Sequence, residues 1–313
     1  MTSELEIDNY KCIICDGNRF KEVFNLEKIS KKPYRVIKCS NCSMISIYPI
    51  PSKDFIQRHY NDPLYPKSAY FRNMTINFKG SPEVRLFLKG LNLIEKFYPN
   101  KGKILDVGCS SGIFLNMAKD RGWETLGIDL SKDFVNYTKK NFKLDIRYGF
   151  LKDFSFKENS FDVVTLWDLI EHVREPKELL KEVCRILKPE GIVLILTPNQ
   201  NSLIKKTTNL SYKLSFGRWK TPANVVYDIH HLYYFSKKNI TILLTKIGFK
   251  TVYIGKEETI LNRIIGEESD HWIKKNKFMV FGLRLIFFIA KLTGNKNKLL
   301  ILSRKKRILT NII

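Results

Sequence analysis

Acidic residues are scarce in this chain, with 31 Asp and Glu against 54 Lys and Arg and a formal net charge of +23 over 313 residues. The shortage is uneven. No acid falls between Glu190 and Asp228, a stretch that holds Lys205, Lys206, Lys213, Arg218 and Lys220. None follows Asp270, although the last 43 residues contain eleven Lys or Arg. Scattered lysine identifies no partner, but charge gathered in acid-free segments suits an anionic surface or substrate. The opening MTSELEIDNY lacks the basic patch and apolar run of a secretory signal, so a cytoplasmic chain is expected. A membrane span is excluded for FMVFGLRLIFFIAKL, residues 278–292, because Arg284 interrupts it and it falls short of the roughly 20 apolar residues needed. Internal repeats and low-complexity tracts are missing too. The 44% of hydrophobic residues suffices for one large core or two unequal ones.

Cytosolic thiols stay reduced, which argues against disulfides for the six cysteines. Four of them, Cys12 and Cys15 then Cys39 and Cys42, form two CxxC pairs separated by 23 residues. Four thiolates at that spacing predict a closed tetrahedral site for a structural Zn2+. Cys109 and Cys184 read as small core residues. Residues 1–70 are therefore expected to form a zinc-ribbon module with a Pro- and Tyr-rich linker, and 71–313 the main domain. From 81, SPEVRLFLKGLNLIEKF reads as a helix capped by Ser81. Short apolar strands at 103–107, 124–128 and 145–149, then FDVVTLWD (161–168) and IVLILT (192–197), alternate with amphipathic helices, which predicts a doubly wound α/β fold with a parallel sheet. KPEG reads as a turn before the last of these strands. The segment 199–231 is polar and aromatic without clear period, and reads as a functional excursion. A basic and apolar insertion occupies about 257–298 before a final strand, LLILS.

The turn after the first strand, DVGCSSG, fails the dinucleotide fingerprint, since Ser110 and Ile113 stand where its second and third glycines belong. It fails the P-loop as well, with no Gly-Lys-Ser/Thr. What remains is Asp106, Gly108 and Gly112, with Asp129 ending the next strand, where a carboxylate can accept from both ribose hydroxyls.

The ordered set ILDVGCSSG, GIDLS, FDVVTLWDLIEHV, LKPEGIVLILTPN and HHLYYFS...LLTKIGF resembles the class I S-adenosylmethionine (SAM) methyltransferases over about residues 81–256. The resemblance implies a seven-stranded Rossmann-like sheet and SAM as cofactor. Gly108 and Gly112, with Cys109 between them, would let backbone approach the amino-acid end of SAM, Asp106 would orient its methionine moiety, and Asp129 beside Leu130 would hold the ribose. Phe150 replaces the acid that the family often carries near adenine, so adenine is expected on backbone amides and apolar contact at Phe150 and Leu151, with Asp153 as a substitute acid. Trp167, after the fourth strand, is assigned to the cofactor site. The cysteine pairs followed by YPIP are similar to nucleotide-sugar C-methyltransferases and related surface-glycan enzymes, in which a YHEHLSYFS segment supplies the catalytic base. HLYYFS, His231 to Ser236, matches its second half, while Ile229 and His230 depart from the first. That implies His231 as general base, with His230 as its substitute and Asp168 next. Glu171 and His172 would shape the pocket, and Asn199 is a further candidate near the acceptor.

The implied activity is methyl transfer to a small-molecule or lipid-linked glycan acceptor. An RNA methyltransferase is the alternative enzyme, but the Asn/Asp-Pro-Pro-aromatic motif of base methylation is absent after the fourth strand and the cysteine module lacks basic and aromatic interleaving. A binding module without turnover is the third reading, supported by Ser110 and Phe150. Lys274, Lys275, Lys277, Lys291, Lys296 and Lys298 around the apolar terminal segment predict attachment to the inner face of a membrane, or a helix packed on the sheet.

Overall fold

The computed structural model describes residues 4–7, 9–26, 34–62, 71, 74–75, 82–219, 221–227, 229–258 and 277–307. Ser81, the module boundary at residue 70, Lys274 and Lys275, and much of the expected insertion lie outside the described residues.

Strands β1 (Glu4–Glu6), β2 (Arg19–Leu26), β3 (Tyr34–Cys39) and β4 (Ile45–Tyr48) form an antiparallel sheet in that order. Helix α1 (Lys53–Tyr60) follows, with Ser52 Oγ accepting from Phe55 N–H as its N-cap. The alternating part of the chain comprises α2 (Pro82–Phe97), β5 (Lys103–Val107), α3 (Ile113–Asp120), β6 (Glu124–Asp129), α4 (Lys132–Phe142), β7 (Asp145–Tyr148), β8 (Phe161–Trp167), α5 (Pro176–Ile186) and β9 (Leu187–Pro198). It continues through α6 (Leu203–Leu214), α7 (Thr221–Val226), β10 (Tyr233–Tyr234), α8 (Lys237–Ile247), β11 (Phe249–Glu257), α9 (Lys277–Leu292) and β12 (Lys298–Lys305).

The large sheet has seven strands in the order β11-β12-β9-β8-β5-β6-β7. Neighbours from β9 to β7 run parallel, and β12 is antiparallel to both β9 and β11. Every residue of β8, FDVVTLW, is buried, as a central strand covered on both faces requires. Side chains alternate strictly between those faces. Ile104, Val163 and Leu194 pack under α2 and α3, whereas Leu105, Val164 and Ile195 pack under α5 and α8. Ser131 and Ser236 cap α4 and α8, and Gly248 closes α8 in the left-handed region at φ 112°.

Three local expectations change. KPEG lies within β9, where the pairing with β8 jumps from Leu187 to Ile192 and Glu190 takes φ 64°. The aperiodic excursion forms helices α6 and α7. Tyr233 and Tyr234 of HLYYFS pair with Ser46 and Ile45, so this segment becomes the fifth strand of the small sheet. Cys12, Ile14, Phe20 and Cys39 share one apolar core with Leu232, Ile240 and Leu243, which welds the cysteine module to the α8 face.

Candidate active site

The glycine turn sits at the carboxyl end of β5 and opens α3. Gly108 and Gly112 both occupy the left-handed region, at φ 76° and 73°, and Ser110 joins them at φ 49°. A Cβ on Gly112 would overlap Thr138 Cγ2, and one on Gly108 would approach Leu169 Cδ1 to 3.0 Å. Gly108 and Cys109 N–H both donate to Ile128 O, clamping the turn to β6. The Cys109 thiol lies buried against Gly127, where a Cβ would meet its sulfur at 2.8 Å.

Asp129 Oδ2 accepts from Ser110 N–H at 2.7 Å and Oδ1 from Ser131 N–H at 2.8 Å. Burial pushes its carboxyl up to about 6, while the amides of Ser131, Ser110 and Leu130 oppose the rise. Asp106 Oδ1 accepts from Thr165 Oγ1–H at 2.7 Å, deep under the turn. Burial lifts it to about 8, against the Thr165 bond and with the help of the Asp129 charge. Thr165 was not singled out in the sequence. Phe150 N–H donates to Asp153 Oδ2, so the Asp153 carboxylate caps its own 3-10 turn, Leu151–Asp153. Leu151 is buried, and Lys53 of α1 places its ammonium 4.8 Å from the Phe150 ring centroid. The Trp167 ring packs with Phe87 and Phe114 beneath α2, its indole N–H without a partner.

A second cluster follows β8 and β9. Asp168, at φ 47°, pairs with Lys298 at 2.5 Å. Glu171 is fully buried, its Oε2 accepting from Thr197 Oγ1–H at 2.9 Å and its Oε1 unpartnered. Burial, reinforced by Asp168 and opposed by Lys298, pushes the Glu171 carboxyl up to about 8. His172 Nδ1–H donates to the His230 carbonyl at 2.8 Å, since a carbonyl oxygen can only accept. His231 stands edge-on to His172, 4.7 Å between ring centroids. Burial and the neighbouring His172, Lys298 and Lys205 hold the His231 imidazole well below its ordinary pKa, rather than near neutrality. His230 faces elsewhere, stacking on His59 of α1 at 4.0 Å. Asn199 is consumed in a staple, donating to Lys296 O and accepting from Asn201 N–H. One member of the cluster was missed. Lys205 on α6 is buried, its Nζ lacks a hydrogen-bond partner, and it lies 3.9 Å over the Tyr234 ring. Burial and the charge of Lys298 depress its pKa well below the usual value, opposed by Glu171. Glu171, His172 and His231 bring ligand atoms within 4.8 Å of one another, a spacing able to hold a metal ion.

The four cysteines of the small sheet converge, all sulfurs within 4.8 Å, with Cys12–Cys42 at 3.4 Å and Cys15–Cys39 at 3.5 Å. Each pair forms a knuckle followed by a left-handed residue, Asp16 at φ 59° and Ser43 at φ 62°, whose N–H donates to the first cysteine carbonyl. Tetrahedral zinc with bonds near ~2.3 Å sets its sulfurs slightly under 4 Å apart, so this donor set fits a closed site of four thiolates.

A model of the methyltransferase domain family matches residues 83–254, more than half of the chain. The chain belongs to this family. An uncharacterized protein of Methanocaldococcus jannaschii is 34% identical over 133 residues, 41% of this chain and 56% of that protein. A ubiquinone biosynthesis O-methyltransferase of Coxiella burnetii is 30% identical over 117 residues, 36% of this chain and 50% of that protein. The chain thus spans about half the length of the curated relatives it matches. A crystal structure of a SAM dependent methyltransferase from Archaeoglobus fulgidus superposes with a TM-score of 0.51 at 19% identity, covering 76% of this chain and 100% of that one. That likeness is one of fold: the methyltransferase domain here is built on the Rossmann-like sheet expected from the sequence.

Proposed function

We propose that this chain transfers a methyl group from S-adenosylmethionine to a small-molecule acceptor, a sugar or an intermediate of glycan assembly. One observation carries the ligand site. Among the described residues ten buried side-chain polar atoms lack a partner, and seven of them, on Ser110, Ser111, Trp167, Glu171, Gln200, Ser202 and Lys205, end or follow β5, β8 and β9. Protein interiors leave few such atoms unmatched, and open α/β sheets take their ligands at this carboxyl edge. The motif series and the family match support methyl transfer, and the cysteine pairs before the sheet together with HLYYFS support the acceptor class.

SAM, when bound, supplies a methyl group already activated on a sulfonium. The chain's task is to hold donor and acceptor in line and to remove a proton. Asp129 offers the ribose hydroxyls the lone pairs that Ser110 and Ser131 leave unused. Gly108 and Gly112 admit backbone to the amino-acid end, and Phe150 and Leu151 flank adenine. His231, held neutral, accepts the acceptor's proton on a ring nitrogen. Glu171 and Lys205 contribute polar atoms with no internal partner beside it. Cys12, Cys15, Cys39 and Cys42 would hold a structural zinc.

Calorimetric titration with SAM tests the reading first, since a chain that fails to bind the donor is a scaffold. Tritiated methyl from SAM should then enter the small-molecule or glycan fraction of a cell extract, and label in RNA would overturn the acceptor class.

A further inference from the structure

The two acid-free stretches of the sequence fold side by side. Helix α6 and the loop after it come from the first and α9 from the second, and the two helices pack on each other. Leu203 N–H donates to Asn295 O at 3.0 Å, tying the turn after α9 to the start of α6. Ten of the twelve exposed large hydrophobic side chains among the described residues lie on this pair of segments. On α9, Phe278, Phe281, Leu285, Phe288 and Leu292 recur at three- and four-residue spacing and form one exposed stripe, while Phe287 and Ala290 face inward. Lys277, Arg284 and Lys291, all exposed and seven residues apart, run along one border of that stripe. At the tip beyond α6, Phe216 is 92% exposed in the left-handed region at φ 51°, between exposed Leu214 and Trp219 and beside Arg218. A bulky side chain held in that conformation and turned to solvent has no packing reason to be there.

We propose that the α6–α9 face docks on an anionic lipid bilayer. An apolar stripe with a basic border is the pattern of a helix lying in the headgroup plane. No acid interrupts either segment, so nothing on it repels anionic headgroups. No described helix is long and apolar enough to cross, so the contact is superficial. A second copy seated antiparallel on this face, by a two-fold axis across the helices, would set the basic rows against each other. The face also adjoins the acceptor cluster: Asn199 binds Lys296 O, and Lys298, beginning the next strand, pairs with Asp168. On the methyltransferase reading, and resting on it, the acceptor is then amphipathic or lipid-linked and enters from the bilayer.

Flotation of the full chain with phosphatidylglycerol/phosphatidylcholine vesicles tests the docking. The protein should float at low salt with anionic vesicles, stay down with phosphatidylcholine alone, and be released by high salt. Phe281→Ser/Phe288→Ser should cut partitioning at least about tenfold through lost apolar burial, and Arg284→Glu/Lys291→Glu by a similar factor or more. Both pairs are exposed, and unchanged SAM affinity would show an intact fold while keeping the two readings separable. Protein that remains at the bottom with every vesicle, or variants that float like wild type, would overturn the proposal. So would a dimer in sedimentation velocity that Phe281→Ser/Phe288→Ser dissociates, since the face would then close between copies.

Discussion

Replacing Asp129 separates its two jobs. In the free chain its two oxygens anchor the Ser110 and Ser131 amides, and in the proposed complex they also accept from the ribose. Each hydrogen bond to a charged group is worth roughly 1.5–3 kcal/mol. Asp129→Asn keeps one acceptor oxygen and should weaken SAM binding by about one such bond, roughly ten- to a hundredfold. Asp129→Ala loses both, a weakening of about 3 kcal/mol or more, and also leaves two amide donors unpaired in a buried turn at about 1–3 kcal/mol of stability each. The pH dependence is a second readout. The carboxyl titrates at about 6 in the free chain, above its ordinary 3.8, so it is ionised at neutral pH and protonated below. The contribution of Asp129 to SAM affinity should be level above pH 7 and fall about tenfold by pH 5. Stability runs the other way. A carboxyl whose folded pKa is raised binds its proton more tightly in the native state, so its contribution grows as pH falls from above 6 toward 4. Loss of affinity at pH 5 therefore does not report unfolding from this group. Calorimetry on wild type and both variants from pH 5 to 8 decides the matter: wild-type affinity in Asp129→Ala, or a wild-type profile flat across that range, would remove Asp129 from the ribose site.

The protein purified under reducing conditions should carry one tightly held zinc per chain. Elemental analysis finding none, or full zinc in Cys39→Ser, would refute that. His231→Ala should lose about a hundredfold or more in turnover while SAM affinity stays within about threefold, as befits a base acting on the acceptor proton; a loss seen in His230→Ala instead would move the base by one residue. Lys205→Met removes a buried, unpartnered amine, so the thermal midpoint should hold or rise while turnover drops about tenfold or more; a large fall in the midpoint would make Lys205 a structural residue.

The alternation of β5 to β9 with their helices was legible because each strand is a short buried run and each helix an amphipathic one, both patterns set within ten residues of chain. The turn with Gly108 and Gly112 and the two CxxC knuckles were legible for the same reason, since their chemistry is local. Helix α6 was not. IKKTTNLSYK mixes β-branched and polar residues of middling propensity, and its order comes from tertiary contact, including Tyr227 Oη–H donating to Asn209. Strand β10 has two residues and pairs with β4 far upstream, so no local pattern announces it. Lys205 was hidden by its own type, because lysine is the residue least expected inside; its position one turn before buried Thr208 was the available signal.

That unforeseen strand explains why a small cysteine module belongs in front of this sheet. β10 extends the module's sheet, and the residue just before it, Leu232, donates its N–H to Glu171 O at 2.7 Å while accepting from Ile47 N–H at 3.0 Å. The second knuckle is tied down as well, with Asn239 Nδ2 donating to Cys42 O and Gln200 Nε2 to Ser43 O. Lys246 Nζ reaches Ile14 O in the first knuckle at 2.7 Å. His231 therefore stands between a strand anchored in the module and the Glu171 turn anchored in the large sheet. The proposed SAM half rests mainly on β5 and β6, and Lys53 over Phe150 joins it to α1. A metal that stiffens the knuckles would act chiefly on the wall that carries His231. Asp106, Asp129 and the glycine turn are held by bonds within the large sheet and its own loops, and would keep their geometry without it.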